Sequence, residues 1–165
     1  MQHVQTRSTT SALVLTAVLI ALATLFTMYT KIPVPGIRGY FNVGDVVIMT
    51  SALLLGRKYG AYIGAIGPAL ADLFLGYAVF VPITFVVKGI EGYLVGTVYN
   101  HKTTTSALVA TIVGGIVIVA GYFIAEYFVF DPGVAIASIL TNAIQAVMSV
   151  IVSIILYAIL RKRLG

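Results

Sequence analysis

Between residues 59 and 87 one charged residue, Asp72, interrupts an otherwise apolar or neutral run. Read as a single helix, that run would be about 43 Å long, against a bilayer hydrocarbon core of about 30 Å. The chain must therefore turn back, and Gly76 and Pro82 put the fold-back near residues 76–81. Two spans result, at about 59–75 and 80–99. The same reading of uncharged runs gives further spans at about 8–30, 43–56, 106–125 and 134–160. Composition agrees: 9% of residues are charged and 60% are hydrophobic, whereas soluble domains carry about 25% charged residues. The expected fold class is an all-α integral membrane protein, with residues 1–165 forming one six-helix membrane domain. An Ala21-Leu22-Ala23 motif resembles a signal-peptide cleavage site. The uncharged run continues through Thr30, which favours a retained helix.

The segments between spans divide by charge. Arg7, Arg57, Lys58, Lys102, Arg161, Lys162 and Arg163 fall on one side of a six-span chain, and only Lys31 and Arg38 on the other. By the positive-inside rule both termini are expected in the cytoplasm. The 31–42 loop contains Pro33, Pro35, Gly36 and Gly39, which exclude a regular helix. It also carries Arg38, Tyr40 and Asn42, so it reads either as a stiff connector or as the rim of a binding site. Asp45, in the first turn of the next span, reads first as a helix-end charge and second as a ligand contact. Glu126 is expected in the loop before the last span.

Three charges lie deep inside the apolar runs: Asp72, Lys88 and Glu91. A charge in hydrocarbon costs at least about 2.5–3.5 kcal/mol, so such groups are paired and functional by default. Counted from the fold-back, Asp72 lies about 6–8 Å down one helix and Lys88 about 12 Å down its antiparallel neighbour. An Asp72–Lys88 ion pair is expected, with Glu91 on the same face as Lys88. On the last span, Ser138, Asn142, Gln145 and Ser149 form a polar stripe at spacings of four, three and four. Asn142 and Gln145 reach the depth of Lys88 and Glu91. Lys88, Glu91, Asn142 and Gln145 are thus expected to line one pocket, roofed by Arg38, Tyr40 and Asn42. A purely structural network of salt bridges and interhelical hydrogen bonds is the alternative.

Several chemistries find no footing. With no cysteine, thiolate chemistry and disulfides are excluded. His3 and His101 have no acidic neighbours at ligand spacing, so no metal is expected. No phosphate-binding loop or nucleotide fingerprint is present, no cofactor is expected, and the basic residues at segment ends speak for orientation rather than nucleic-acid binding. On the first helix, Ala17 and Ala21 share a face that Thr10, Thr24 and Met28 extend, and small residues there permit close approach of another helix.

The block FNVGDVVIMTSALLLGRKYGAYIGAIGPALADLFLGY, followed by VPITFVVKGIEGYLVG, resembles the substrate-binding S components of energy-coupling factor (ECF) vitamin transporters. Ala17-x-x-x-Ala21 resembles that family's small-residue docking motif. The resemblance implies a multi-pass protein of the bacterial plasma membrane. It implies a protein that binds a vitamin or precursor from outside and is not itself an enzyme. It also implies partners, a transmembrane T subunit and two ATP-binding-cassette ATPases, with Ala17 and Ala21 as the contact. Within the family the chain is most similar to the hydroxymethylpyrimidine or pyridoxine type, with riboflavin next. The absence of tryptophan departs from members that stack their vitamin on that residue. A membrane enzyme using Asp72, Lys88 and Glu91 in acid–base chemistry, and a structural membrane subunit, are the readings from other classes.

Overall fold

The computed structural model describes residues 9–33, 40–100 and 103–164. Among them are six helices: α1 (Thr9–Tyr29), α2 (Asp45–Leu55), α3 (Arg57–Phe74), α4 (Phe80–Val98), α5 (Thr104–Val129) and α6 (Pro132–Leu164). Between α1 and α2 runs a feature absent from the expected all-α fold. Ile32–Pro33 (β1) pairs antiparallel with Tyr40–Phe41 (β2), Ile32 opposite Phe41 and Pro33 opposite Tyr40. Four helices are long and apolar enough to cross a membrane: α1, α4, α5 and α6. With 11 residues, α2 measures about 17 Å and reaches across about half of a hydrocarbon core.

The breaks between helices follow from residue chemistry. Gly56 separates α2 from α3 and Gly76 follows α3, with φ of 89° and 82°. No side chain crowds either position; the left-handed backbone is what calls for glycine. The expected fold-back at 76–81 is where α3 gives way to α4. At the start of α5 the Thr103 hydroxyl accepts from the Ser106 N–H at 3.1 Å. Pro132 opens α6, where its missing N–H costs nothing, and the Asp131 carboxylate accepts from the Val134 N–H at 3.0 Å.

The short α2 is the centre of the bundle and packs against all five other helices. Its residues from Asp45 through Leu53 are all buried. One side of α2 (Val47, Ile48) meets Ala23 of α1 and Ile63 of α3. The other (Met49, Ala52, Leu53) joins Val95, Ala107, Ala110, Ile118 and Ala146 from α4, α5 and α6. Helices α3 and α4 approach so closely that a Cβ on Gly92 would stand 2.1 Å from the Gly60 carbonyl oxygen. Small residues of this kind replace the hydrophobic effect as the means of packing helices in lipid. Outward-facing positions carry large apolar chains such as Val14, Phe74, Phe85, Leu140 and Val147, the surface that hydrocarbon solvates.

Candidate ligand-binding site

Six helix ends and the β1–β2 ribbon converge at the end of the bundle opposite the start of α1 and the finish of α6. Here α1, α3 and α5 finish, and α2, α4 and α6 begin. The backbone enters α2 through Asn42, whose side-chain oxygen accepts from the Gly44 N–H at 2.9 Å, a local turn that short amides favour. The Asn42 N–H donates to Gln145 Oε1 at 3.0 Å, and Gln145 Nε2 donates to Asp45 Oδ2 at 2.7 Å. The other Asp45 oxygen accepts from the Lys88 ammonium. Glu91, one turn along α4, has a carboxylate oxygen 3.6 Å from the same ammonium. Lys88 also lies 5.4 Å above the Tyr122 ring, and the Tyr122 hydroxyl bonds that of Thr84 at 2.9 Å.

A second set faces the ribbon. The Tyr40 hydroxyl donates to Asp72 Oδ1 at 2.5 Å. Burial, then the adjoining Asp72 carboxylate, push this hydroxyl well above the ordinary tyrosine range, so Tyr40 is a neutral donor. Its ring starts an aromatic chain through Tyr77 and Phe80 to Phe130, with centroids 4.9, 6.4 and 5.4 Å apart. That chain links the ribbon, the α3–α4 turn and the α5–α6 turn over the site. Glu126, in the last turn of α5, accepts from Ser138 of α6.

Between these groups lies a cavity of about 40 Å³, bordered by Tyr40, Asn42, Asp72, Lys88, Glu126, Asn142 and Gln145, among others. Ligand sites for drug-sized molecules run to about 300–1,000 Å³, so this one is nearly closed. Of the residues expected at the pocket, Tyr40, Asn42, Lys88, Asn142 and Gln145 border the cavity together. Glu91 stands behind Lys88 and not on the cavity. Arg38 lies outside the described residues.

The expected Asp72–Lys88 ion pair is not formed. Lys88 turns to Asp45 and Glu91, and Asp72 is held by Tyr40. Depth alone relates Asp72 to Lys88 on neighbouring antiparallel helices, whereas α2, packed against both, brings Asp45 to Lys88. Asp45 does stand in the first turn of α2, as expected, but Gly44 holds the N-cap position, Asp45 makes no cap hydrogen bond, and its buried carboxylate is taken by Lys88 and Gln145. Glu126 is in a helix rather than a loop, because α5 extends to Val129. On α1, Ala17 and Ala21 are exposed, whereas Thr24 turns inward and donates to the Gly67 carbonyl at 2.9 Å. The residues that sequence reasoning did not place at the site are Asp45, Glu126, Thr84 and Tyr122. Asp45 had ligand contact only as its second reading; for it and Glu126 the signal was charge in an apolar setting, for Tyr122 its place among the aromatics before the last span, and for Thr84 there was none.

A family model described as "ECF-type riboflavin transporter, S component" matches residues 7–162. The chain is an S component of the energy-coupling factor family. S components are integral membrane proteins and the substrate-binding subunits of their transporters. This S component is 30% identical over 149 residues to the thiamine precursor transporter HmpT of Lactococcus lactis, covering 89% of the chain and 83% of that protein. It is 41% identical over 145 residues to an uncharacterized protein of Pyrococcus woesei, covering 86% and 96%. Its fold is that of the protein in "Structure and mechanism of the S component of a bacterial ECF transporter" (TM-score 0.73, 22% identity, 94% of this chain and 98% of that one). A biotin S component shares it too (TM-score 0.60, 19% identity, 91% and 94%).

Proposed function

We propose that this S component binds a small vitamin precursor of the hydroxymethylpyrimidine or pyridoxine type and delivers it to an ATP-driven importer. The observation that carries the reading is the cavity at one end of the bundle. It gathers the amide side chains of α6, Lys88 and Tyr40 in a protein whose outward-facing helix surfaces are largely apolar. A planar heterocycle suits such a site, with rings against its faces and polar groups reading its edges. The likeness to a thiamine precursor transporter supports the same class.

The cavity's small size means that binding includes an opening step, in which the ribbon and the Tyr40–Phe130 aromatic chain give way. Riboflavin is the second reading, favoured by the description of the matching family model. It needs the larger opening of the two. The site faces the exterior and both termini the cytoplasm, a sidedness supported by Arg57, Lys58, Arg161, Lys162 and Arg163 at the far end. The chain performs no chemistry of its own. Its partners are a transmembrane T subunit and two ATP-binding-cassette ATPases, and the exposed Ala17/Ala21 face of α1 is the contact.

Native mass spectrometry of the purified chain tests the ligand. A hydroxymethylpyrimidine or pyridoxine mass should co-purify, and Asn142→Leu should lose it while the protein elutes as a folded species. A riboflavin mass selects the second reading, and retention of the ligand by Asn142→Leu removes the α6 amides from the site.

A further inference from the structure

Four of the chain's five acidic residues, Asp45, Asp72, Glu91 and Glu126, are buried. Among the described residues the one buried cation is Lys88, which is already engaged by Asp45 and Glu91. The two carboxylates that border the cavity, Asp72 and Glu126, are met by neutral hydroxyls: Tyr40, with the Thr84 side chain also close, at Asp72, and Ser138 at Glu126. Tyr122, the remaining titratable group on the cavity, bonds Thr84. Lys31, at the same end, sits over the Tyr77 ring at 5.2 Å. Two cavity-bordering residues have an atom left over: Asp72 Oδ2 and Thr27 Oγ1 are buried with no hydrogen-bond partner. Their residues are 3% and 1% exposed. A carboxylate oxygen in such surroundings is costly unless a donor or a cation meets it.

We propose that Asp72 Oδ2 is the recognition point for a basic nitrogen of the ligand. The pocket then takes a small heterocycle bearing a protonated ring nitrogen or amino group in preference to a neutral one. Tyr40 fixes the carboxylate by holding Oδ1, which leaves Oδ2 for the ligand. Thr27 on α1 offers a hydroxyl to the same molecule. Lys88, held between Asp45 and Glu91, also borders the cavity, and like charge keeps the ligand's basic end from it and sends that end to Asp72. This inference rests on the vitamin-binding reading above and names its charge class.

The test is calorimetric titration of the full chain in detergent with three probes: 4-amino-5-hydroxymethyl-2-methylpyrimidine, the same pyrimidine without its amino group, and riboflavin. The wild type should bind the aminopyrimidine at least about tenfold more tightly than the other two, the scale of one hydrogen bond to a charged group. Asp72→Asn keeps size and an acceptor for Tyr40, and should weaken aminopyrimidine binding by a similar factor. The probe comparison needs no variant, so it decides the matter even if Asp72→Asn does not fold. Equal affinity for the amino and des-amino probes overturns the inference, as does unchanged affinity in Asp72→Asn. Binding of riboflavin alone overturns it while the vitamin-binding reading stands, and binding of none of the three overturns both.

Discussion

Lys88 is among the largest fully buried side chains, and its ammonium meets two carboxylates, Asp45 from α2 and Glu91 from its own helix. Asp45 has a further partner in Gln145, whereas neither Glu91 oxygen has a hydrogen bond. Removing the lysine therefore strands charge that water cannot reach. Breaking a buried pair in this way costs about 3–5 kcal/mol. Lys88→Met is expected to lower thermal stability by that order, and to weaken ligand binding through disorder of the α2 end. Lys88→Met combined with Glu91→Gln should recover part of the loss, because the least supported carboxylate is then gone. Thermal unfolding of both variants in detergent checks this, and a double variant no more stable than the single one would place the stranded charge on Asp45 instead.

At the scale of elements, the α3–α4 contact sets the geometry of the site, since α3 carries Asp72 and α4 carries Thr84, Lys88 and Glu91. The contact is backbone on backbone. A Cβ on Gly64 would lie 2.1 Å from the Lys88 carbonyl oxygen, and one on Gly92 at the same distance from that of Gly60. Neither neighbour is a side chain that can swing away. Gly92→Ala must part the helices, and over-packing of this kind costs about 1–3 kcal/mol. At Gly89 the nearest atom is the Ala65 Cβ at 3.2 Å, which a shift of a few tenths of an ångström relieves. Gly92→Ala should thus lower the unfolding temperature and the ligand affinity together, and Gly89→Ala should change both far less. Equal effects would mean that the two helices are free to separate.

For the whole molecule the question is how a binding subunit without a nucleotide motif is driven. The polar cavity lies where α1 ends, and Ala17 and Ala21 sit more than one turn earlier on the exposed face of the same helix. The proposed docking face is thereby separated in space from the cavity. Replacing both alanines with leucine adds bulk on the face proposed for a partner helix, and costs packing contacts there. The double variant is expected to bind ligand like the wild type, to co-purify poorly with the T subunit and to lose ATP-driven uptake in vesicles. Normal uptake would move the docking surface elsewhere on the bundle.

The helices and their approximate limits were legible in the sequence, because length against bilayer thickness and the position of Gly56, Gly76 and Pro132 are local properties of the chain. The α6 stripe was legible for the same reason: a helix repeats every 3.6 residues, so Asn142 and Gln145 had to share a face. The partnership of charges was not. Depth along two neighbouring helices predicted Asp72 for Lys88, but an ion pair is decided by three-dimensional distance. The short α2, buried in the middle of the bundle, delivers Asp45 from 43 residues away in sequence. The pairing of Glu126 with Ser138, the ribbon that brings Tyr40 to Asp72, and the exposure of Ala17 with burial of Thr24 were likewise decided by packing. An apolar helical chain with charge to be neutralised inside it follows from the order of residues alone; which charges meet, and which carboxylate oxygen is left over, follow from the packed bundle, because those are contacts between helices and no single helix encodes them.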